Sequence, residues 1–306
     1  MPMTSNGEAF REIYFTARDG LRLHVRHYPA AGGKQERPVV CLPGLTRNGR
    51  DFHDIAVALS NHPSDARDVY TVDCRGRGLS AFDPDWRNYT IQVEMFDLLD
   101  FLTLSGLHNV AVIGTSRGGL IAMLIAAVQP AAIGVVVLND IGPVIEYDGL
   151  ARITGYVGRM PLPISWSDAA KMVRDLNRRH FPEIREHLWE ELARQWYNEK
   201  NGRPTYGYDP NLGNALSIFD GPMPELWPQF EALKRVPVLV LRGENSDILS
   251  PETVEEMRRR HPALVSFTVN NEGHAPLLKD QQTIGAIQHF LSATDTGRHV
   301  ATMAIA

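Results

Sequence analysis

The stretch Val110-Ala111-Val112-Ile113-Gly114-Thr115-Ser116-Arg117-Gly118-Gly119 decides the fold. Its first four residues are apolar and mostly β-branched, and they read as a buried strand. A Gly-x-Ser-x-Gly turn follows at once, and Leu120 to Ala127 reads as a helix that is apolar on nearly every face. A strand, a tight Gly-flanked serine and a buried helix make the sharp turn that presents a serine nucleophile. Side chains at 114 and 118 would collide across such a bend, so glycine suits both positions. The turn strains the serine backbone and lifts the Ser116 hydroxyl onto the positive end of the helix. The alternative is a Gly-rich strand-to-helix turn with Ser116 as a mere cap.

The rest of the chain repeats that rhythm. Pro38–Leu42, Val69–Asp73, Ile133–Leu138, Val238–Leu241 and Leu264–Val269 are short apolar runs. Helical periodicity lies between them, over about Asp51–Ser60, Thr90–Ser105, Glu225–Lys234, Pro251–Arg260 and Gln281–Leu291. Alternating strands and helices with continuously apolar strands predict an α/β fold with a parallel sheet covered on both faces. At the front, Glu12–Thr16 and Leu21–Val25 alternate with period two around Arg18-Asp19-Gly20, which predicts a hairpin. The rhythm breaks from 141 to 223. That segment has charge-rich helical stretches (Trp166–Arg179, Ile184–Glu199) and no convincing buried strand, and it reads as an inserted helical cap. The expected division is a core of 10–140 and 224–294, a cap of 141–223, and loose ends at 1–9 and 295–306.

The 306 residues suit one large domain with an insertion. A hydrophobic content of 43% with 22% charged residues is ordinary for a globular chain. Net charge is −5 with no basic block, which argues against nucleic acid. No apolar run reaches the ~20 residues of a membrane span. The first residues lack a charged-then-apolar signal, so a cytoplasmic location is the default expectation. The two cysteines, Cys41 and Cys74, give no disulfide framework and read as free, packed thiols.

A serine hydroxyl needs a base in reach, and the base needs a third group to fix its tautomer. His274, in the polar loop Asn270–Pro276 past the last strand, is the base candidate. Asp247, in Leu241-Arg242-Gly243-Glu244-Asn245-Ser246-Asp247, is the favoured acid, because it follows a strand end on the carboxyl edge of the sheet. Glu244 competes nearby. Asp140 competes from the end of the strand after the serine strand, where helix capping is its alternative role. Backbone N–H groups of Arg117 and Leu45 are the candidate donors for a developing oxyanion, with Gly44 allowing close approach.

The order Ser116, Asp247, His274, together with the serine turn, resembles the α/β-hydrolase superfamily. The resemblance spans Glu12 to about Leu291. It rests on Gly114–Gly118, Gly243–Asp247 and Gly273-His274, and on Asp73–Ser80, which looks like the family's loop after its fourth strand. It implies a mostly parallel eight-stranded sheet flanked by helices, with a helical cap inserted after the sixth strand, where 141–223 falls. Many relatives have His-Gly where this chain has Pro43-Gly44; the backbone donor survives that change. Serine at 116 disfavours the subset with an aspartate nucleophile, the dehalogenases and epoxide hydrolases. With no metal-ligand cluster and no phosphate-binding loop, no cofactor is expected.

The expected partner is a small-molecule substrate, with nucleic acid and membrane excluded; the oligomeric state is unreadable. Arg117, next to the nucleophile, would favour an anionic substrate if its guanidinium lined the pocket, or would pair with an acid if it turned away. Arg47 and Asn48 beside the oxyanion loop are further substrate-binding candidates. So are the aromatic and apolar side chains Tyr147, Tyr156, Met160, Trp166, Trp196 and Phe219 of the insertion, and Trp86 and Tyr89. The leading reading is a serine hydrolase of a small ester or lactone. A carbon–carbon hydrolase acting on a diketo acid, an acyltransferase and a non-catalytic binding member of the fold are the alternatives.

Overall fold

The computed structural model describes residues 9–32, 36–216 and 225–297. Phe219, the 223/224 boundary and most of both expected loose ends lie outside the described residues. The chain opens with β1 (Arg11–Thr16) and β2 (Arg22–Tyr28), the expected hairpin. Then come β3 (Val39–Leu42), α1 (His53–Ser60), β4 (Val69–Asp73), α2 (Ile91–Leu104), β5 (Val110–Thr115), α3 (Arg117–Val128) and β6 (Ile133–Asn139). The segment after β6 holds α4 (Tyr147–Tyr156), α5 (Trp166–Asn177), α6 (Leu188–Trp196), the strands β7 (Asn198–Lys200) and β8 (Arg203–Thr205), and α7 (Leu212–Leu216). The alternation resumes with α8 (Trp227–Glu231), β9 (Val238–Gly243), α9 (Pro251–Arg260), β10 (Leu264–Val269) and α10 (Gln281–Asp295).

Eight strands form one sheet in the order β1-β2-β4-β3-β5-β6-β9-β10. Only the β1–β2 and β2–β4 pairs are antiparallel; every other pair is parallel. The central strands bury both faces, and their residues alternate between two cores. Val40, Leu42, Val112, Val136, Leu138 and Val240 pack under α2, α3 and α9. Val39, Cys41, Ile113, Val137, Leu239 and Leu241 pack under α1 and α10. Period two within a strand thus explains why the runs read as continuously apolar.

Local signals set the helix ends. The Thr90 and Asp280 side chains accept from Val93 N–H and Thr283 N–H to cap α2 and α10. Ser250 caps α9, with Pro251 in its first turn. The helix expected over 225–234 is shorter: Pro228 lies in the first turn of α8, and the chain tightens to a 3-10 turn over Ala232–Arg235. At the other end α10 outlasts its expected stop at Leu291, because the Asp295 carboxylate reaches the buried Arg67 at 2.9 Å.

In the segment between β6 and α8, α5 and α6 join through Ala169, Val173, Trp189, Leu192 and Ala193. The β7–β8 hairpin has no counterpart in the sequence reading, since its residues carry no apolar run. Polar bonds tie the insertion to the core. Tyr89 Oη donates to Asp209 Oδ2 at 2.6 Å, Gly78 N–H donates to Gly207 O at 2.8 Å, and Asn48 Nδ2 donates to Gln195 O at 2.9 Å.

A methyl group at 118 would lie 2.2 Å from the Leu42 carbonyl oxygen, whereas one at 285 in α10 would meet nothing within 4 Å. Gly118→Ala is therefore expected to cost about 2 kcal/mol or more, and Gly285→Ala to add about 0.5–1 kcal/mol. Urea unfolding of both variants checks this.

Candidate active site

The serine turn takes the strained form its glycines allow. Ser116 sits at φ 50° and ψ −116°, in the left-handed half of conformational space. Such a residue costs on the order of 1–3 kcal/mol. A side chain at Gly114 would come within 2.6 Å of the Gly118 backbone, so the strand and helix pack with no room there for a Cβ. Ser116 N–H donates to Asn139 O on β6 at 3.0 Å, which ties the turn to the neighbouring strand.

His274 arrives on the loop between β10 and α10. Its Nε2 lies 2.9 Å from Ser116 Oγ and its Nδ1 lies 2.8 Å from Asp140 Oδ2. The loop is held around it: Asn139 Nδ2 donates to Pro276 O at 2.9 Å and Leu277 N–H donates to Glu272 Oε2 at 2.7 Å. Asp140 is fully buried. Its Oδ1 accepts from Gly243 N–H at 2.8 Å, and its Oδ2 also accepts from Ser246 Oγ at 2.6 Å. These donors give the buried carboxylate the hydrogen bonds that burial requires.

The acid expectation is thereby corrected. Asp247 makes no bond to His274; its carboxylate is taken by Arg152 of α4, with Nε to Oδ2 at 2.6 Å and Nη2 to Oδ1 at 2.8 Å. Burial raises its pKa, but the Arg152 bond and charge outweigh that and hold the carboxyl below its ordinary value. Both aspartates stand at the carboxyl edge, and the insertion arginine decides between them. Glu244 accepts from Asn271 N–H at 2.8 Å and so braces the histidine loop instead.

Leu45 and Gly44 lie beside the serine: a Cβ on Gly44 would sit 3.6 Å from Ser116 Cβ. Among the described residues, neither the Leu45 nor the Arg117 backbone N–H donates a hydrogen bond. Both are thus free to serve an oxygen at the serine.

The Arg117 side chain turns away from the cleft. Its Nε donates to Glu94 Oε2 at 2.7 Å and its Nη2 donates to Tyr89 O at 3.0 Å. The expected anion contact is corrected accordingly. Arg47 does line the cleft, but Asp51 takes its Nε at 2.7 Å, and its guanidinium stacks on Trp196 at 3.8 Å. Asn48 caps the following turn and holds Gln195, so it lies behind the wall. Tyr147 is 69% exposed and lies outside the cleft. Trp166, the first residue of α5, packs against the α5–α6 cluster with Arg194 over its ring and does not line the cleft. Tyr156 and Trp196 line the cleft, Met160 lines a neighbouring pocket, and Trp86 and Tyr89 line neither.

The sequence reading missed Arg152, Asn177, Phe181, Trp189, Leu192 and Leu277, all on the cleft wall. Helical spacing on α5 and α6 (Val173 with Asn177, Trp189 with Leu192 and Trp196) marked an inward face that could have found three of them, Asn177, Trp189 and Leu192. Nothing local marked Arg152. Among the described residues, no cluster of His, Cys, Asp and Glu could hold a metal ion, and no helix is long and apolar enough to cross a membrane.

The model of the alpha/beta hydrolase family matches residues 39–286 of this chain. The chain belongs to the alpha/beta hydrolase family. This hydrolase is 33% identical over 279 residues to a 3-hydroxybutyrate-oligomer hydrolase of Cupriavidus necator, covering 84% of this chain and 88% of that protein. It is 30% identical over 262 residues to an sn-1-specific diacylglycerol lipase of Mus musculus, covering 83% of this chain and 80% of that one. The crystal structure of an alpha/beta hydrolase from Novosphingobium aromaticivorans superposes with a TM-score of 0.85 at 38% identity, over 93% of this chain and 98% of that one.

One acid of the hydrolase stands close to the histidine in sequence and titrates in an unusual range. Burial pushes the Glu272 carboxyl up to about 7; the Leu277 N–H opposes the rise and Asp280 adds to it. Between its unfolded value near 4.5 and about 7 the folded state binds more protons, so stability falls as pH rises through that window. Glu272→Gln is expected to flatten this fall, read as a smaller drop in melting temperature between pH 5 and pH 7.5 than the wild type shows.

Proposed function

We propose that this hydrolase cleaves a small carboxylic ester, with Ser116 as nucleophile, His274 as general base and Asp140 as the acid that orients it. The observation that carries the reading is the unbroken relay from Ser116 Oγ through His274 to the buried Asp140, at 2.9 and 2.8 Å, with Ser116 and His274 on the wall of one cleft. His274 Nε2 takes the hydroxyl proton as Ser116 Oγ attacks the ester carbonyl. The carbonyl oxygen gains the charge and meets the Leu45 and Arg117 N–H groups. Collapse expels the alcohol, which takes the proton from His274 and leaves an acyl-serine. Water, deprotonated by the same nitrogen, then attacks and releases the acid. Asp140 keeps the Nδ1 proton facing itself and stabilises the imidazolium.

Two relatives support an ester: the names of both the oligomer hydrolase and the diacylglycerol lipase denote ester-bearing substrates. The free volume of about 100 Å³ in the cleft favours a short acyl group over a long chain. Charge pairing favours a neutral one. Arg47 and Arg152, the arginines on the wall, each already hold a carboxylate, and Arg117, the leading candidate for an acid-bearing substrate, points elsewhere.

Three outcomes are expected. On p-nitrophenyl esters from acetate to octanoate, turnover peaks at the short end and vanishes in Ser116→Ala. Asp140→Asn lowers kcat by about 10³-fold to 10⁴-fold, while Asp247→Asn stays within about tenfold of wild type; the reverse order would return the acid role to Asp247. A butyrate ester is cleaved at least as fast as its hemisuccinate counterpart, and a tenfold preference for the hemisuccinate would overturn the neutral reading.

A further inference from the structure

Behind the two free N–H groups runs a buried chain of charges that the reaction above does not use. Arg77, on the loop after β4, is fully buried and Glu94 of α2 is 3% exposed. Arg77 Nε donates to the Leu45 carbonyl at 2.7 Å. Its Nη1 donates to Glu94 Oε1 at 2.7 Å and to Arg75 O at 2.6 Å. On the far side, Arg117 Nε donates to Glu94 Oε2 at 2.7 Å and its Nη2 to Oε1 at 3.0 Å. The strap therefore starts on one residue whose N–H is free and ends on the other.

We propose that Arg77 and Glu94 are positioning residues: the Arg77–Glu94–Arg117 strap fixes the Leu45 and Arg117 N–H groups at the separation an oxyanion needs. This rests on the serine reading above. Leu45 lies between β3 and the 3-10 turn that starts at Gly49, it lines the cleft, and among the described residues its N–H donates no hydrogen bond. A carbonyl pinned from behind sets the orientation of that residue. Glu94 then references it to the serine turn, from the end of β3 to the end of its neighbour β5. Donors aimed in advance at the place where charge develops lower the barrier, because they need no reorganisation at the moment of reaction. Burying two guanidiniums and a carboxylate contributes little stability, since desolvation offsets the attraction. Geometry is what the strap supplies.

The test replaces the whole strap with apolar side chains of similar size: Arg77→Met, Glu94→Leu and Arg117→Met together. A buried charged triad can be exchanged in this way without loss of fold, and thermal melting reports whether it was. The expected result is a fall in kcat of about 10²-fold with KM within threefold of wild type. A boronic acid, whose tetrahedral serine adduct places an oxygen between the two N–H groups, should lose affinity in parallel. A folded triple variant with kcat and boronate affinity near wild type overturns the proposal, as does a rise in KM with boronate binding intact. Should the triple variant not fold, Arg77→Met alone removes the Leu45 tie together with the Arg77 bonds to Glu94 and to the Arg75 carbonyl, leaves Glu94 paired with Arg117, and should lower kcat about tenfold; unchanged kcat overturns the proposal. Ser116→Ala separates the two readings: turnover that survives it removes the serine mechanism and the strap's purpose together, whereas its loss beside a fully active strap variant overturns the strap alone.

Discussion

The strained backbone of Ser116 is the constraint to which the surrounding elements answer. A residue at φ 50° does not hold itself there. It is held because β5 runs straight into α3, with Gly114 and Gly118 letting the two backbones touch, and because the helix start lies against the Leu42 carbonyl of β3. The Ser116 N–H bond to Asn139 adds β6. Shifting β3, β5 or β6 by one residue would break one of these contacts and rotate the hydroxyl out of reach of His274. The parallel register at the centre of the sheet therefore sets the Ser116–His274 contact as well as the core.

Around that point the molecule invests heavily in buried carboxylates with full sets of donors. Asp140 is one. Asp73, at the end of β4, is another: it accepts from Gly49 N–H at 2.7 Å, Leu79 N–H at 2.8 Å and His24 Nδ1 at 2.8 Å, joining the hairpin, the oxyanion loop and the loop that carries Arg77. Arg75 gathers Asp83 and Asp97 in the same layer. Such networks gain little net energy against their desolvation, but an unmatched member would be costly. Their effect is to leave each loop at the carboxyl edge one acceptable arrangement.

The sheet and the serine turn were legible because periodicity and glycine placement are local consequences of burial and bending. That Ser116 and His274 would meet was legible for a related reason: each follows a strand end in a polar or Gly-rich loop. The carboxylate that meets His274 was not. Asp140 and Asp247 satisfy the same local description, and the choice rests on Arg152, roughly a hundred residues from Asp247 in the chain and in a segment with no strand pattern to anchor it. Arg117 likewise offered two directions, and only the buried Glu94 of α2 settled which. Pairings between distant charges leave no periodic trace. The inward faces of α5 and α6 did leave one, in the spacing of Val173, Asn177, Trp189 and Leu192, but not the direction in which those faces would point.

The two thiols have a practical bearing. Cys41 in β3 and Cys74 after β4 are both free and buried. Burial raises the Cys41 thiol far above its ordinary range and pushes Cys74 up to about 12. Near neutral pH neither presents a thiolate to a maleimide or an iodoacetamide. A single new cysteine at an exposed site of the insertion, for instance Tyr147→Cys, would then be the one position to react in the native protein. A fluorophore placed there could follow the distance between α4 and the core without removal of either natural cysteine.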